Sequence, residues 1–307
     1  MRFLPGPCIP LLLIAWGLAA CAPWDLRGLE RRYPELERVG AAPLAELVPY
    51  FVAVEDELTA FTCRWPTGST LGVRVAGPAT PADLEILDRA LSAWQQASLG
   101  IRFERVESVG ARAAIEVRFD DTRQQRSGTA AVDCRARPGR GERLEASLVS
   151  ALVVLRRENL DWKGGRVALS REERLGAALH ELGHALGFQG HPRRGDTVML
   201  RSVDHVRWAG AALEAGEPFY DASLAALYAL PSGTVLARRR LPAGRTRELD
   251  AASQGAAADG DRDWWIRVGD RAARLHWGPG SARYSVFNAD KIFRNPKQFN
   301  PVSSSEF

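Results

Sequence analysis

The chain has 307 residues, a net charge of +4, and a composition that is 46% hydrophobic and 25% charged. These figures fit one full-sized domain with added segments, or two small domains, and they exclude wholesale disorder. Of the 41 basic residues only Lys163, Lys291 and Lys297 are lysines, and acidic residues are interleaved with the arginines almost everywhere, so no nucleic-acid partner is expected; the rival is a polyanion binder acting through clusters such as Arg238-Arg239-Arg240.

The chain starts with a positive Met1-Arg2, and Ile9 to Ala20 is an almost unbroken apolar run. That run falls short of the ~20 residues of a spanning helix and fits an export leader. Leu18-Ala19-Ala20-Cys21 resembles the bacterial lipobox. The resemblance implies cleavage before Cys21, acylation of that residue, and a lipid-anchored protein of the cell envelope facing the periplasm or the cell surface. An ordinary secretory signal with a chance cysteine is the other reading, and it also takes the mature chain out of the cytoplasm. Cys8 leaves with the leader, so Cys63 and Cys134 remain as two thiols expected to pair in an oxidising compartment. Such a crosslink constrains the unfolded chain by roughly 4 kcal/mol on the entropy model.

Residues 21–62 read as a tether with helical pieces. Leu26, Leu29, Tyr33 and Leu36 have helical spacing broken at Pro34, and Ala45 to Phe61 has similar spacing. Thr70 to Ala76 alternates as a strand. Pro81-Ala82-Asp83 opens a helix with acidic residues where the dipole favours them; Leu84, Leu87, Leu91 and Trp94 form its stripe, and Gly100 ends it. Strands follow at Ile101 to Val106, Ala113 to Phe119, Ser127 to Cys134 and Leu148 to Leu155, the last apolar enough to be buried on both faces. Arg171 to Leu186 is a second strong helix, with Ser170 and Glu173 at capping-box spacing. A third runs from about Tyr220 to Leu230 and stops at Pro231. Residues 233–307 begin with a linker-like stretch. They then offer three short strands, Trp264 to Val268, Ala273 to Trp277 and Arg283 to Phe287, as a small appendage.

Three of the five histidines fall in the stretch from His180 to His191. Residues four apart on a helix are separated by only about 40° in projection, so His180 and His184 face the same way and can share one Zn²⁺. Glu181 lies on the same turn, near the ion but not aimed as a ligand, where it can reach a water. His191 cannot close the set along a continued helix. Gly187 allows a positive φ that ends the helix, Gly190 adds freedom, and His191 can return to the ion. Three nitrogens leave a fourth position open for an activated water, the mark of a catalytic rather than a structural zinc.

His180-Glu181-x-x-His184-x-x-Gly187-x-x-His191 resembles the metzincin signature. Met199, eight residues on, is similar to the Met-turn of the matrixin type. Arg64-Trp65-Pro66, Ala93-Trp94, and the group Asp221, Leu224, Leu227 and Tyr228 resemble further matrixin segments, so the likeness covers about residues 64 to 230. It implies an α/β fold: a twisted mixed sheet with the active-site helix and a second long helix, and a small lower subdomain beneath a zinc cleft. It also implies a zinc endopeptidase acting on protein or peptide substrates, with one catalytic zinc held by His180, His184 and His191, and Glu181 as general base. A zinc-binding envelope lipoprotein that has lost catalysis and serves as a binding module is the alternative.

Pro192 stands where matrixins have serine and serralysins have proline, which leaves the subfamily open. No histidine precedes His180, so a second zinc is not expected, and calcium is possible but not legible beyond Asp120-Asp121. Cys63 either pairs with Cys134 or caps the zinc as a propeptide cysteine does. Asp221 is expected to hydrogen-bond the Met-turn backbone. Residues 200–218 are expected to wall the specificity pocket, with His205 as a surface histidine or a substrate contact, and His276 in the tail has no expected role. The resulting organisation is a leader (1–20), a tether (21–62), a protease domain (63–232) and an appendage (233–307), in a monomer.

Overall fold

The computed structural model describes residues 25–54, 57–106, 114–120, 127–138, 144–161, 163–200, 202–240, 263–268, 271–278 and 281–288. Cys8 and Cys21 lie outside them.

Helices α1 (Leu26–Arg32) and α2 (Pro34–Val39) are separated at Tyr33, because Pro34 has no N–H to continue α1 but suits the first turn of α2. A 3₁₀ turn (Ala42–Glu46) follows. Ala45 to Phe61, despite its helix-like spacing, does not form a helix. Pro49 interrupts it, and the β-branched and aromatic run Tyr50–Val54 becomes strand β1, paired with β2 (Glu57–Phe61). The segment with tether-like composition is packed: Leu29, Tyr33, Leu36, Leu44 and Leu47 are buried in the main core, and α2 and the 3₁₀ turn lie against the last helix.

The main sheet has the order β4-β3-β5-β7-β6, built from β3 (Thr70–Val75), β4 (Arg102–Arg105), β5 (Ile115–Asp120), β6 (Gly128–Pro138) and β7 (Leu144–Arg156). The first four in that order run parallel, and β6 pairs antiparallel with β7 at the edge. Alternation puts Leu71 and Val73, then Ile115, Val117 and Phe119, then Val153 and Leu155, into the core. Fully burying such a side chain contributes about 1.5–3 kcal/mol.

Helix α3 (Pro81–Gln96) is held by a capping box between Thr80 and Asp83. Its stripe is rotated from the expected one: Ile86 is fully buried and Leu84 only partly. The short hairpin β8 (Glu158–Leu160) and β9 (Arg166–Ala168) leads into α4 (Arg171–Ala185). Helix α4 packs on α3 and on β6 and β7. Residues 200–218 hold a further helix, α5 (Val203–Glu214), capped by Ser202. It crosses α4 where Gly210 meets the Glu172 carbonyl and Gly176 meets the Val206 carbonyl, an approach that side chains would block. Helix α6 (Ala222–Ala229) and strand β10 (Val235–Arg240) follow, and β10 pairs with β2. Strands β11 (Asp263–Val268), β12 (Arg271–Gly278) and β13 (Ser281–Asn288) form a separate antiparallel meander.

Candidate metal centre

Helix α4 starts from reciprocal hydrogen bonds between Ser170 and Glu173, and every residue from Leu175 to Ala185 is buried. Two indoles fix its rotation. Trp94 Nε1 donates to the Leu179 carbonyl at 3.0 Å and Trp65 Nε1 to the Ala185 carbonyl at 2.9 Å. Gly183 lets the helix settle onto Met199, since a Cβ there would collide with the Met199 sulfur and lie 3.2 Å from the Trp94 ring. Behind this face Asp83, fully buried, accepts hydrogen bonds from Arg157 and from Arg174 of α4, so α3 and α4 are clamped by charge. Desolvation alone would raise the Asp83 carboxyl, but hydrogen bonds from Arg157 and Thr80 and the Arg157 charge bring it down to about 2.

His180 and His184 leave the same face of α4 with ring centroids 4.8 Å apart. The helix ends as the spacing requires. Gly187 at φ 114° and Gly190 at φ 104° turn the chain in a region that L side chains avoid. A Cβ at Gly187 would also lie 2.7 Å from the Cys63 carbonyl oxygen. The turned chain is tied down by Gln189, whose side-chain amide donates to the His184 carbonyl at 2.9 Å and whose own carbonyl accepts from Val48 N–H at 2.7 Å. His191 thereby returns, its Nε2 3.1 Å from His180 Nε2 and 3.2 Å from His184 Nε2.

The opposite ring nitrogens set the tautomers. His180 Nδ1 is 2.8 Å from the Val198 carbonyl and His184 Nδ1 is 2.8 Å from the Phe188 carbonyl. A carbonyl only accepts, so each Nδ1 carries the proton and each Nε2 presents a lone pair. Burial pushes His184 down to about 3; the neighbouring His180 adds to this and the Phe188 carbonyl opposes it. The ring is neutral, as a ligand must be. Tetrahedral zinc with bonds of ~2.0–2.1 Å separates its ligands by about 3.3 Å, close to the spacings found. The three imidazoles form a candidate metal site.

No family model and no curated protein matches this chain. Among solved structures it is similar to myroilysin, at 20% identity over 44% of this chain and 56% of that one, with a TM-score of 0.26. It is also similar to high choriolytic enzyme 1, a hatching enzyme zinc-protease from the medaka fish Oryzias latipes. There the identity is 18% over 42% of this chain and 50% of that one, with a TM-score of 0.22. The chain thus spans about half the length of the structures it matches.

Glu181 is 8% exposed. Its side chain lies against the first residue of the edge strand β6: a Cβ on Gly128 would come within 2.5 Å of Glu181 Cγ and 2.9 Å of Oε1. Gly128 therefore shapes the carboxylate's surroundings, a role with no signal in the sequence beyond a glycine at a strand start. Met199 is fully buried, and its sulfur lies against Gly183 of α4. Asp221 caps α6 through Leu224 N–H and accepts from Thr197 Oγ1 at 2.8 Å and Val198 N–H at 2.7 Å. Burial pushes its carboxyl up to about 6, against hydrogen bonds from Leu224, Thr197, Val198 and Ser223. The same Val198 holds His180 by its carbonyl, so Asp221 positions a histidine two hydrogen bonds away.

Cys63 and Cys134 form a disulfide. The bonded Cys63 sulfur is not available as a cap on the histidines, which decides between the two readings of that residue. His205 stands apart from the triad on α5, its ring 5.3 Å from that of Trp208. His276 falls in β12, and Asp121 lies outside the described residues.

Proposed function

We propose that this chain is a zinc-dependent endopeptidase with a metzincin-like build, in which His180, His184 and His191 hold the ion and Glu181 is the general base. The observation that carries this reading is the convergence of three Nε2 atoms, with the far side of two rings tied to backbone carbonyls. Zinc held by His180, His184 and His191 would supply a Lewis acid and would bring the pKa of water toward ~7. The Glu181 carboxylate takes a proton from the attacking water and delivers it to the amine nitrogen as the peptide C–N bond breaks. Val198 and Phe188 keep the rings oriented through that transfer. Among the described elements β6 pairs only with β7, so its outer edge suits an extended peptide added as a further strand, which would pass Gly128 and Glu181. The parallel sheet with one antiparallel edge, and the Asp221-held turn before Met199, support the family reading.

The anchor and compartment belong to the same proposal: export, lipid at Cys21, and a monomer working on protein or peptide substrates at the envelope. Export and the lipid rest on the apolar run from Ile9 and the residues before Cys21.

Glu181→Gln is expected to retain one equivalent of zinc by elemental analysis and to lose peptide cleavage on the order of a thousandfold or more. Retained turnover would remove Glu181 from the mechanism. Stoichiometric zinc with no turnover in the unaltered chain would leave the binding-module alternative.

A further inference from the structure

A second recess shares one residue, Val198, with the setting of the metal centre. It is a cavity of about 80 Å³ between the segment Asp196–Val198, helix α5 and residues 217–220. A single water needs about 10–15 Å³ by this measure, so a side chain fits. Val198 belongs both to this cavity and to the His180 hydrogen bond. The inner wall is apolar and firm: Phe219 packs edge-on against Trp94 at 4.8 Å, and Val198 and Ala209 are buried. The mouth differs. Trp208 and Tyr220 are 55% and 47% exposed, and the lining carries two exposed carboxylates, Asp196 and Glu217, with His205 and no lysine or arginine. No ion pair to either carboxylate is found among the described residues. The Asp196 charge reaches the Tyr220 hydroxyl, whose pKa is raised by burial, by Asp221 and by Asp196.

An apolar inner wall, an aromatic mouth and unneutralised carboxylates together fit one chemical class: an aliphatic stem ending in a cation. A cationic end gains the attraction of both carboxylates, a plain apolar side chain gains only the inner wall, and an acidic one meets repulsion. We propose that this recess binds an arginine or lysine side chain of the peptide substrate, with Asp196 and Glu217 as the selecting groups and Trp208 as an aromatic platform. The proposal rests on the endopeptidase reading in taking the bound peptide as a substrate, but its test does not depend on turnover.

Alanine-based hexapeptides carrying one arginine, leucine or glutamate walked through each position are titrated calorimetrically into the zinc-loaded Glu181→Gln chain. At one position arginine should bind about fivefold or more tighter than leucine, the order expected of partly screened charge contacts. The Asp196→Asn/Glu217→Gln double variant should cancel that ratio, and about 0.5 M salt should weaken it. Absence of an arginine preference at every position, or its survival in the double variant, overturns the proposal. If the arginine preference is present and charge-dependent while the zinc-loaded unaltered chain cuts none of these peptides, the endopeptidase reading fails and the cation site stands.

Discussion

The setting of the histidine cluster and the neighbouring recess share one residue, Val198, yet they are built in opposite ways. Around the histidines the polar groups of the ring backs are paired and buried: Val198 and Phe188 hold His180 and His184, Asp221 holds Val198, and Asp83 clamps α4 from behind. Around the recess Trp208 and Tyr220 are exposed, and so are the carboxylates. Reacting groups must be preorganised because small displacements are costly to a transition state. Groups that choose a side chain need only be complementary to it, and their charge is most useful when nothing in the protein neutralises it. Helix α5 and the segment around it can therefore set selectivity without disturbing the site.

Substitutions in the clamped region should be the most damaging. Asp83→Asn leaves Arg157 and Arg174 without their counter-charge and should cost about 2–3 kcal/mol of stability, measured by denaturant unfolding at neutral pH. The effect has a sign in pH. The folded carboxyl sits at about 2 against an ordinary 3.8, so its stabilisation is complete above the unfolded value and fades as pH falls through the folded one. The variant and the unaltered chain should therefore converge in stability as pH drops from about 4 to about 2; a gap that stays constant would show that Asp83 acts through packing alone.

Next in size, Gly128→Ala places a methyl group where the Glu181 side chain lies. Cleavage should fall about ten- to a hundredfold, the scale of a displaced catalytic group, through kcat with KM little changed. Zinc stoichiometry should be kept, and a loss of zinc instead would mean that strand β6 supports the ligands themselves.

Smaller still, Val48→Pro removes the N–H that ties the Gln189 carbonyl. Zinc affinity should drop about tenfold, as for other outer groups that orient a ligand, read by competition with a chelating dye. An unchanged affinity would make the N-terminal segment a bystander to His191. At the far end of the scale, Asp196→Asn and Glu217→Gln should move stability by less than about 0.5 kcal/mol while changing selectivity, which would separate the choosing groups from the supporting ones.

The legible parts of this protein were those governed by local rules. The capping residues Ser170 and Glu173 mark where α4 begins, the spacing of His180 and His184 puts two imidazoles on one face, and Gly187 marks where the chain turns. Alternating apolar residues announced β3 and β5. The expectation that Cys63 and Cys134 pair is met by their disulfide. Local spacing misled at Ala45 to Phe61, because β1 and β2 owe their extended form partly to β10, about 180 residues downstream by difference in position. It was silent at α5, whose fit depends on glycines of two helices meeting.

The donor set was written into the order of residues: three imidazoles and a turn able to bring them together, because helical periodicity and glycine's backbone freedom act over a few residues. Packing settled what holds that set in place and what lies beside it. Val48 anchoring the His191 loop, Gly128 facing Glu181, Asp83 between two arginines, and acidic groups around an aromatic recess all join residues distant in the chain. Contacts of that kind depend on how the layers stack, and no pattern confined to neighbouring residues encodes them.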